Sequence, residues 1–208
     1  MTKRFDYIQD PEAIYRASFE TIRAEAALAH LPDDIADVSV RLIHACGMPD
    51  IVEDLTYTDD VVNSAREALA SGAAIIADSR MVASGVIERR LPADNAVLCT
   101  LNDPGVAEQA CAKATTRSAA AVDLWRDHLQ GSVVSIGNAP TALFRLLELL
   151  ADGAQKPAAI FAFPVGFVGA AESKAALIES APAPYLTLRG RRGGSAMAAA
   201  AVNALASE

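Results

Sequence analysis

SVVSIGNAPTALFRLLELL, residues 132–150, carries two periodicities end to end. Its first six residues form an apolar run of the kind expected for a strand buried on both faces. Gly137-Asn138-Ala139 then interrupts the run. Asn138 can cap a helix, Pro140 suits its first turn, and Leu143, Leu146, Leu147 and Leu150 recur at helical spacing. A buried strand that passes through a short connection into an amphipathic helix is the unit of an α/β fold.

The unit recurs on both sides. AAIIAD (73–78), AVLCTL (96–101), AAIFAFPV (158–165) and PYLTLRG (184–190) read as further strands. Helical patterns are expected at residues 105–113, 116–130, 140–152, 170–180 and 195–206. Such alternation implies right-handed crossovers and a mainly parallel sheet of about five strands, flanked by helices on both faces. Upstream, Asp10-Pro11 opens one helix, a second runs from near Leu31 to Cys46 with Gly47 as a left-handed stop, and a third covers Asp59 to Ala70. No repeat, low-complexity tract or linker divides the chain. The expectation is one α/β domain over residues 1–208 with a helical N-terminal extension.

Of the 208 residues, 52% are hydrophobic and 21% charged, enough apolar matter for one sizeable core. The net charge of −8 argues against a nucleic-acid partner, which calls for a basic surface. A local arginine cluster can still oppose the global sign. Cys46, Cys99 and Cys111 make neither a metal spacing nor an even disulfide set, which favours a reducing cytoplasm. MTKRFDYIQD lacks the apolar core of a signal peptide, and no apolar run is long enough to span a bilayer, so no membrane association is expected.

Ligands of open parallel sheets bind beyond the carboxyl ends of the strands, which directs attention to the loops there. RGRRGGSAM (189–197) sets Arg191 and Arg192 before a glycine pair and a helix start, with Ser195 as the expected N-cap; backbone amides and guanidinium groups together favour an anion. In TTRSAAAVDLW (115–125), Thr115 or Thr116 caps a helix and Arg117 falls in its first turn, where a cation opposes the dipole unless it meets a carboxylate. In RLIHACGMPD (41–50), Ile35, Val38, Leu42 and Cys46 share the core-facing arc of the second helix. His44 falls opposite Ile35, and Arg41 lies about 60° from His44. Histidine can exchange protons near neutral pH, and a fixed cation stands beside it; the alternative is an ordinary polar face. Ser18, on the flank of the Ile14–Ile22 stripe, can bond back to its own helix or offer its hydroxyl to a docked group. His30 and His128 read as helix C-terminal residues.

A nucleophilic hydrolase is excluded, since there is no G-x-S-x-G turn and His44 and Cys46, two apart, do not face one another. Three scattered histidines give no metal-ligand set.

DYIQDPEAIYRASFETIRAEA, VRLIHACG, NAPTALFRLLELL, FPVGFVGAAESK and RGRRGGSAM, in this order, resemble the precorrin-8X methylmutase (precorrin isomerase) family along nearly the whole chain. Arg80 in DSRMVASGV departs from the family pattern. The resemblance implies an α/β homodimer that needs no metal or organic cofactor. It also implies an isomerase that moves a methyl group from C-11 to C-12 of precorrin-8X to give hydrogenobyrinate. By motif, His44 is the implied catalytic general acid/base, and Ser18, Arg41 and Arg117 are implied substrate-binding residues. Arg191, Arg192 and Ser195 join them as candidate partners for the carboxylates of the tetrapyrrole. Two competing readings are a phosphate-ligand enzyme that uses the 189–195 loop and a non-catalytic carrier of a late corrin intermediate.

Overall fold

The computed structural model describes residues 5–206, so MTKR of the segment read for a leader lies outside it. From the amino terminus, α1 (Pro11–Glu25) and α2 (Asp33–Cys46) lead to β1 (Leu55–Tyr57) and α3 (Val61–Ala70). Next come β2 (Ile75–Ala77), α4 (Arg80–Gly85), β3 (Val97–Leu98), α5 (Val106–Ala112) and α6 (Arg117–Val122). The last elements are β4 (Val133–Ile136), α7 (Pro140–Ala151), β5 (Ala159–Ala162), α8 (Ala170–Ser180), β6 (Tyr185–Leu188) and α9 (Ser195–Asn203). Short 3-10 helices occupy Pro49–Asp54, Glu88–Arg90 and Asp123–His128.

The strands form a six-stranded sheet in the order β1-β6-β5-β4-β2-β3. All neighbours are parallel except β1, which runs antiparallel to β6 with Leu55 opposite Leu188. Successive strand residues feed opposite layers, as a period of two requires. Ile75, Val133, Phe161 and Leu186 join a core with residues of α1, α2, α3 and α9, whereas Ile76, Val134, Ile160 and Tyr185 join one with α7 and Trp125. The α/β class with a mainly parallel sheet stands as read from the sequence, and the amino-terminal helices build one of its covering layers.

The five strands read from apolar runs are present in shortened form. The sixth, β1, has only three residues, all half-buried at the sheet edge, so it offered no run to detect. The helix expected at 116–130 divides at Val122 into α6 and a 3-10 turn that buries Trp125, whose Nε1 donates to Thr100 Oγ1 at 3.0 Å. Asp10 caps α1 through the amides of Glu12 and Ala13, Thr116 caps α6, and Gly47 stops α2 at φ 69°. His30 lies in the turn between α1 and α2, while His128 does end the 3-10 helix.

Two expected caps are corrected. Ser195 is the first helical residue of α9, with Gly194 at the cap position at φ 127°. Asn138 does not cap α7 either. No side chain caps α7; Asp78, just past β2, instead binds the connection before it, accepting the amides of Gly137 at 3.0 Å, Asn138 at 3.0 Å and Ala139 at 2.8 Å. This matters for function. The chain runs from β2 outward to β3 and then returns to place β4 on the other side of β2, so the strand order reverses there. A reversal of this kind opens the usual ligand crevice of an α/β sheet. Here the amides at the reversal are taken by the protein's own carboxylate. Burial pushes that carboxyl group upward in pKa, and the three amides act in the opposite direction.

Candidate active site

The antiparallel pairing of β1 carries the 47–54 segment over the carboxyl end of β6. Arg192, just beyond β6, fastens it there by bonding Asp50 and Asp54 at 2.6 Å each. The last turn of α2, immediately before this segment, is therefore held at the carboxyl edge of the sheet, and His44 is in that turn, exposed. Its phase away from the core arc is as the helical period requires, with Ile35, Val38, Leu42 and Ile43 buried behind it.

α1 packs along α2 and brings Ser18 to His44, with Oγ and Nδ1 2.8 Å apart. The hydroxyl does not turn back on its own helix, unlike that of Thr21, which donates to the Ala17 carbonyl. Tyr15 and Phe19, one turn apart, set their rings edge-on to the imidazole at centroid distances of 5.6 and 5.3 Å. The Arg41 guanidinium lies over the same two rings at 5.3 and 5.0 Å. Cation and imidazole thus flank one aromatic pair, which restricts both.

His44 stands between two depressions. One, of about 430 Å³, is lined largely by apolar groups of α1 and the end of α2, including Ile14, Ala17, Ile22, Ile43 and Pro49, with Ser18 at its side. The other, of about 380 Å³, is lined by Tyr15, Arg41, Ile87, Arg90, Asn203 and the alanines 196, 199 and 200 of α9. A ligand with an apolar body and anionic arms suits this pairing.

The remaining candidates lie outside both depressions. Arg117 starts α6, in the layer over the opposite sheet face, and its Nη2 donates to Asn102 at 2.9 Å. Arg191 sits 5.5 Å from the Phe167 ring centroid, next to a loop whose Phe167 and Val168 are 85% and 88% exposed. Arg192 is taken by Asp50 and Asp54. Ser195 is buried one residue before Ala196, which lines the second depression.

Nor is the glycine-rich loop before α9 free to cradle an anion. Its Gly194 amide donates to the Phe163 carbonyl at 2.7 Å, and a side chain at Gly193 would run into that carbonyl. Lys174 of α8, fully buried, donates to the Arg192 carbonyl at 2.5 Å. Burial brings its ammonium down to about 8, with Asp54 acting the other way. Sequence reasoning passed over Tyr15, Phe19, Arg90 and Lys174. The Tyr15–Ser18–Phe19 spacing was the available signal for the first two, since it puts all three on one helical face.

Among the described residues no group of three or more His, Cys, Asp or Glu side chains could hold a metal ion, and no helix is long and apolar enough to cross a membrane. The three cysteines are free; burial raises the Cys46 and Cys99 thiols, and Cys111 is exposed.

Comparison with known proteins extends over nearly the whole chain. Residues 13–208 match the family model described as Precorrin-8X methylmutase. The chain is 62% identical over 204 residues to the precorrin-8X methylmutase of Pseudomonas aeruginosa, covering 98% of each. It is 33% identical to the cobalt-precorrin-8 methylmutase of Priestia megaterium, covering 94% of this chain and 87% of that one. The crystal structure of the precorrin-8X methylmutase of Thermus thermophilus superposes with a TM-score of 0.85 at 38% identity, over 93% of this chain and 94% of that one. The chain belongs to the precorrin-8X methylmutase family.

Proposed function

We propose that the protein converts precorrin-8X to hydrogenobyrinate by moving the C-11 methyl group to C-12, with His44 as general acid and base. By family it is an isomerase, an intramolecular transferase of cobalamin biosynthesis. The observation that carries the role of His44 is the 2.8 Å bond from Ser18 Oγ to Nδ1, made where an apolar and an arginine-bearing depression meet. With Nδ1 engaged, Nε2 is the ring atom left to exchange a proton with substrate.

Proton delivery to the macrocycle makes its conjugated system electron-poor. The methyl group then migrates with its bonding pair, so the C-11–methyl bond breaks as the C-12–methyl bond forms. Loss of the proton back to His44 restores the charge, and composition is unchanged. Ser18 holds the ring, and Arg41 takes a substrate carboxylate while it rests on Tyr15 and Phe19.

The substrate we assign is metal-free. Identity is 62% to the relative named for precorrin-8X and 33% to the one named for cobalt-precorrin-8. The working form is a cytoplasmic homodimer that requires no cofactor. Support for the dimer comes from Arg117, which lies in the layer opposite His44 and outside its cavities; a second subunit can bring its own Arg117 to the site. We assign the same role to Arg191, which lies beside the exposed Phe167–Val168 loop. Arg192 fixes the segment after His44, and Ser195 starts the helix that floors the second depression. The phosphate reading is weakened because the amides of residues 137–139 bond Asp78 and those of Arg189 and Gly194 bond main-chain carbonyls.

Incubation with precorrin-8X, followed by visible absorption, tests the proposal. Wild type should generate the product spectrum and His44→Ala should not. No conversion by wild type overturns the function. Equal conversion by both removes His44 from the mechanism, and tight binding without conversion by either identifies a carrier.

A further inference from the structure

Arg90 ends the 3-10 turn after α4 and lines the second depression on the wall across from His44 and Arg41. It is half-buried, yet among the described residues no carboxylate lies within 4.0 Å of it. Other half-buried arginines are not left so. Arg145 bonds Asp123 and Glu148, and Arg192 bonds Asp50 and Asp54. A guanidinium drawn partly out of water with no counter-charge is costly unless an anion completes it.

The backbone that carries Arg90 is anchored rather than loose. Asn203 of α9 accepts the Ile87 amide at 2.8 Å and donates to the Gly85 carbonyl at 2.9 Å, and the Arg90 amide closes the turn on the Ile87 carbonyl at 2.9 Å. Gly85 is packed so tightly on α9 that a Cβ there would fall 2.7 Å from the Ala199 Cβ. On the facing wall the Tyr15 hydroxyl is buried without a hydrogen-bond partner among the described residues. A fixed cation therefore lines a cavity over an apolar floor, with Tyr15 at its side.

We propose that Arg90 is a substrate-positioning residue that binds a peripheral carboxylate of the tetrapyrrole in this cavity. The inference rests on the methylmutase reading of the His44 site and adds a second cationic wall to it. The planar fork of arginine meets a carboxylate through two parallel bonds, which fixes the orientation of the macrocycle as well as its affinity.

The test is titration of the full-length protein with hydrogenobyrinate, read by its visible absorption, alongside steady-state kinetics with precorrin-8X. Arg90→Ala should weaken binding and raise KM by about tenfold, the value of one charge-assisted hydrogen bond, with the loss in KM rather than kcat. Arg90→Lys should recover part of it, and amidating the contacted carboxylate should cost wild type the same factor and Arg90→Ala nothing more. Hydrogenobyrinate affinity and KM unchanged in both variants overturn the role of Arg90 while leaving the His44 function intact. If wild type does not turn over precorrin-8X, the function fails, and the binding titration still decides for or against Arg90. Should Arg90→Ala fail to fold, Arg90→Gln and the amidated ligand on wild type read the same contact.

Discussion

Ser18 and His44, 26 residues apart in the chain, meet through their side chains at 2.8 Å across the α1–α2 packing. A histidine in the last exposed turn of a helix can otherwise rotate among several orientations, and this bond selects one. Ser18→Ala should therefore lower kcat by about tenfold, less than the roughly 10²–10⁴-fold cost of losing a general acid–base group outright in His44→Ala. Ser18→Thr, which keeps the hydroxyl, should restore most of the activity. An unchanged kcat in Ser18→Ala would show that the imidazole needs no such restraint.

Asp78, buried, takes three amides of the connection just before α7. Asp78→Ala should lower unfolding stability by about 3 kcal/mol or more, because several buried donors lose their acceptor together. Asp78→Asn should cost less, since one oxygen remains. Urea unfolding measures both, as a lower midpoint at similar slope.

Lys174 gives a pH signature. Its folded-state pKa is depressed to about 8, below the ordinary lysine value, so between these two limits the unfolded chain holds more protons than the folded one. Stability contributed through this group rises with pH across that window and is least below about 8. The stability of wild type relative to Lys174→Met should accordingly rise as pH increases from neutrality towards about 10. A gap independent of pH would mean that the lysine titrates in the folded protein as it does in water.

Arg117 and His44 can be tested for shared sites. Co-expression of His44→Ala with Arg117→Ala chains gives mixed dimers in which one composite site keeps both wild-type residues. These should regain about half the wild-type activity, as expected for one intact site of two under two-fold symmetry. Purified mixed dimers no better than either parent would place both residues on the same subunit's site.

A metal-free substrate should be used in preference to its cobalt form. Parallel kcat/KM measurements with precorrin-8X and cobalt-precorrin-8 check this, and equal values would remove the distinction that the identities of 62% and 33% suggest.

The layered fold was legible because strands such as 133–136 and 159–162, covered on both faces, are almost wholly apolar and need no partner to be recognised. β1 was not, since three half-buried edge residues carry no such run. His44 and Arg41 could be phased from α2 alone, as helical periodicity is a local property. The Ser18 contact could not, because it depends on how α1 lies across α2. Asp78 escaped for a related reason: it binds a connection 60 residues later in the chain and borders it only through the reversal of strand order. Arg192 looked like an anion ligand in RGRRGG, and only the antiparallel return of β1 brings Asp50 and Asp54 to it.

The alanine surface of α9 has a consequence for redesign. Where a cavity is bounded by long side chains, trimming them makes room for a bulkier guest. Ala196, Ala199 and Ala200 leave only a methyl each to trim, and Gly85 already lies against Ala199. The clearance beside His44 is thus set mainly by the main chain, and any substitution on this floor other than glycine narrows it. Variants that accept larger tetrapyrroles would have to shift α9 itself or alter the walls that carry Ile87 and Arg90.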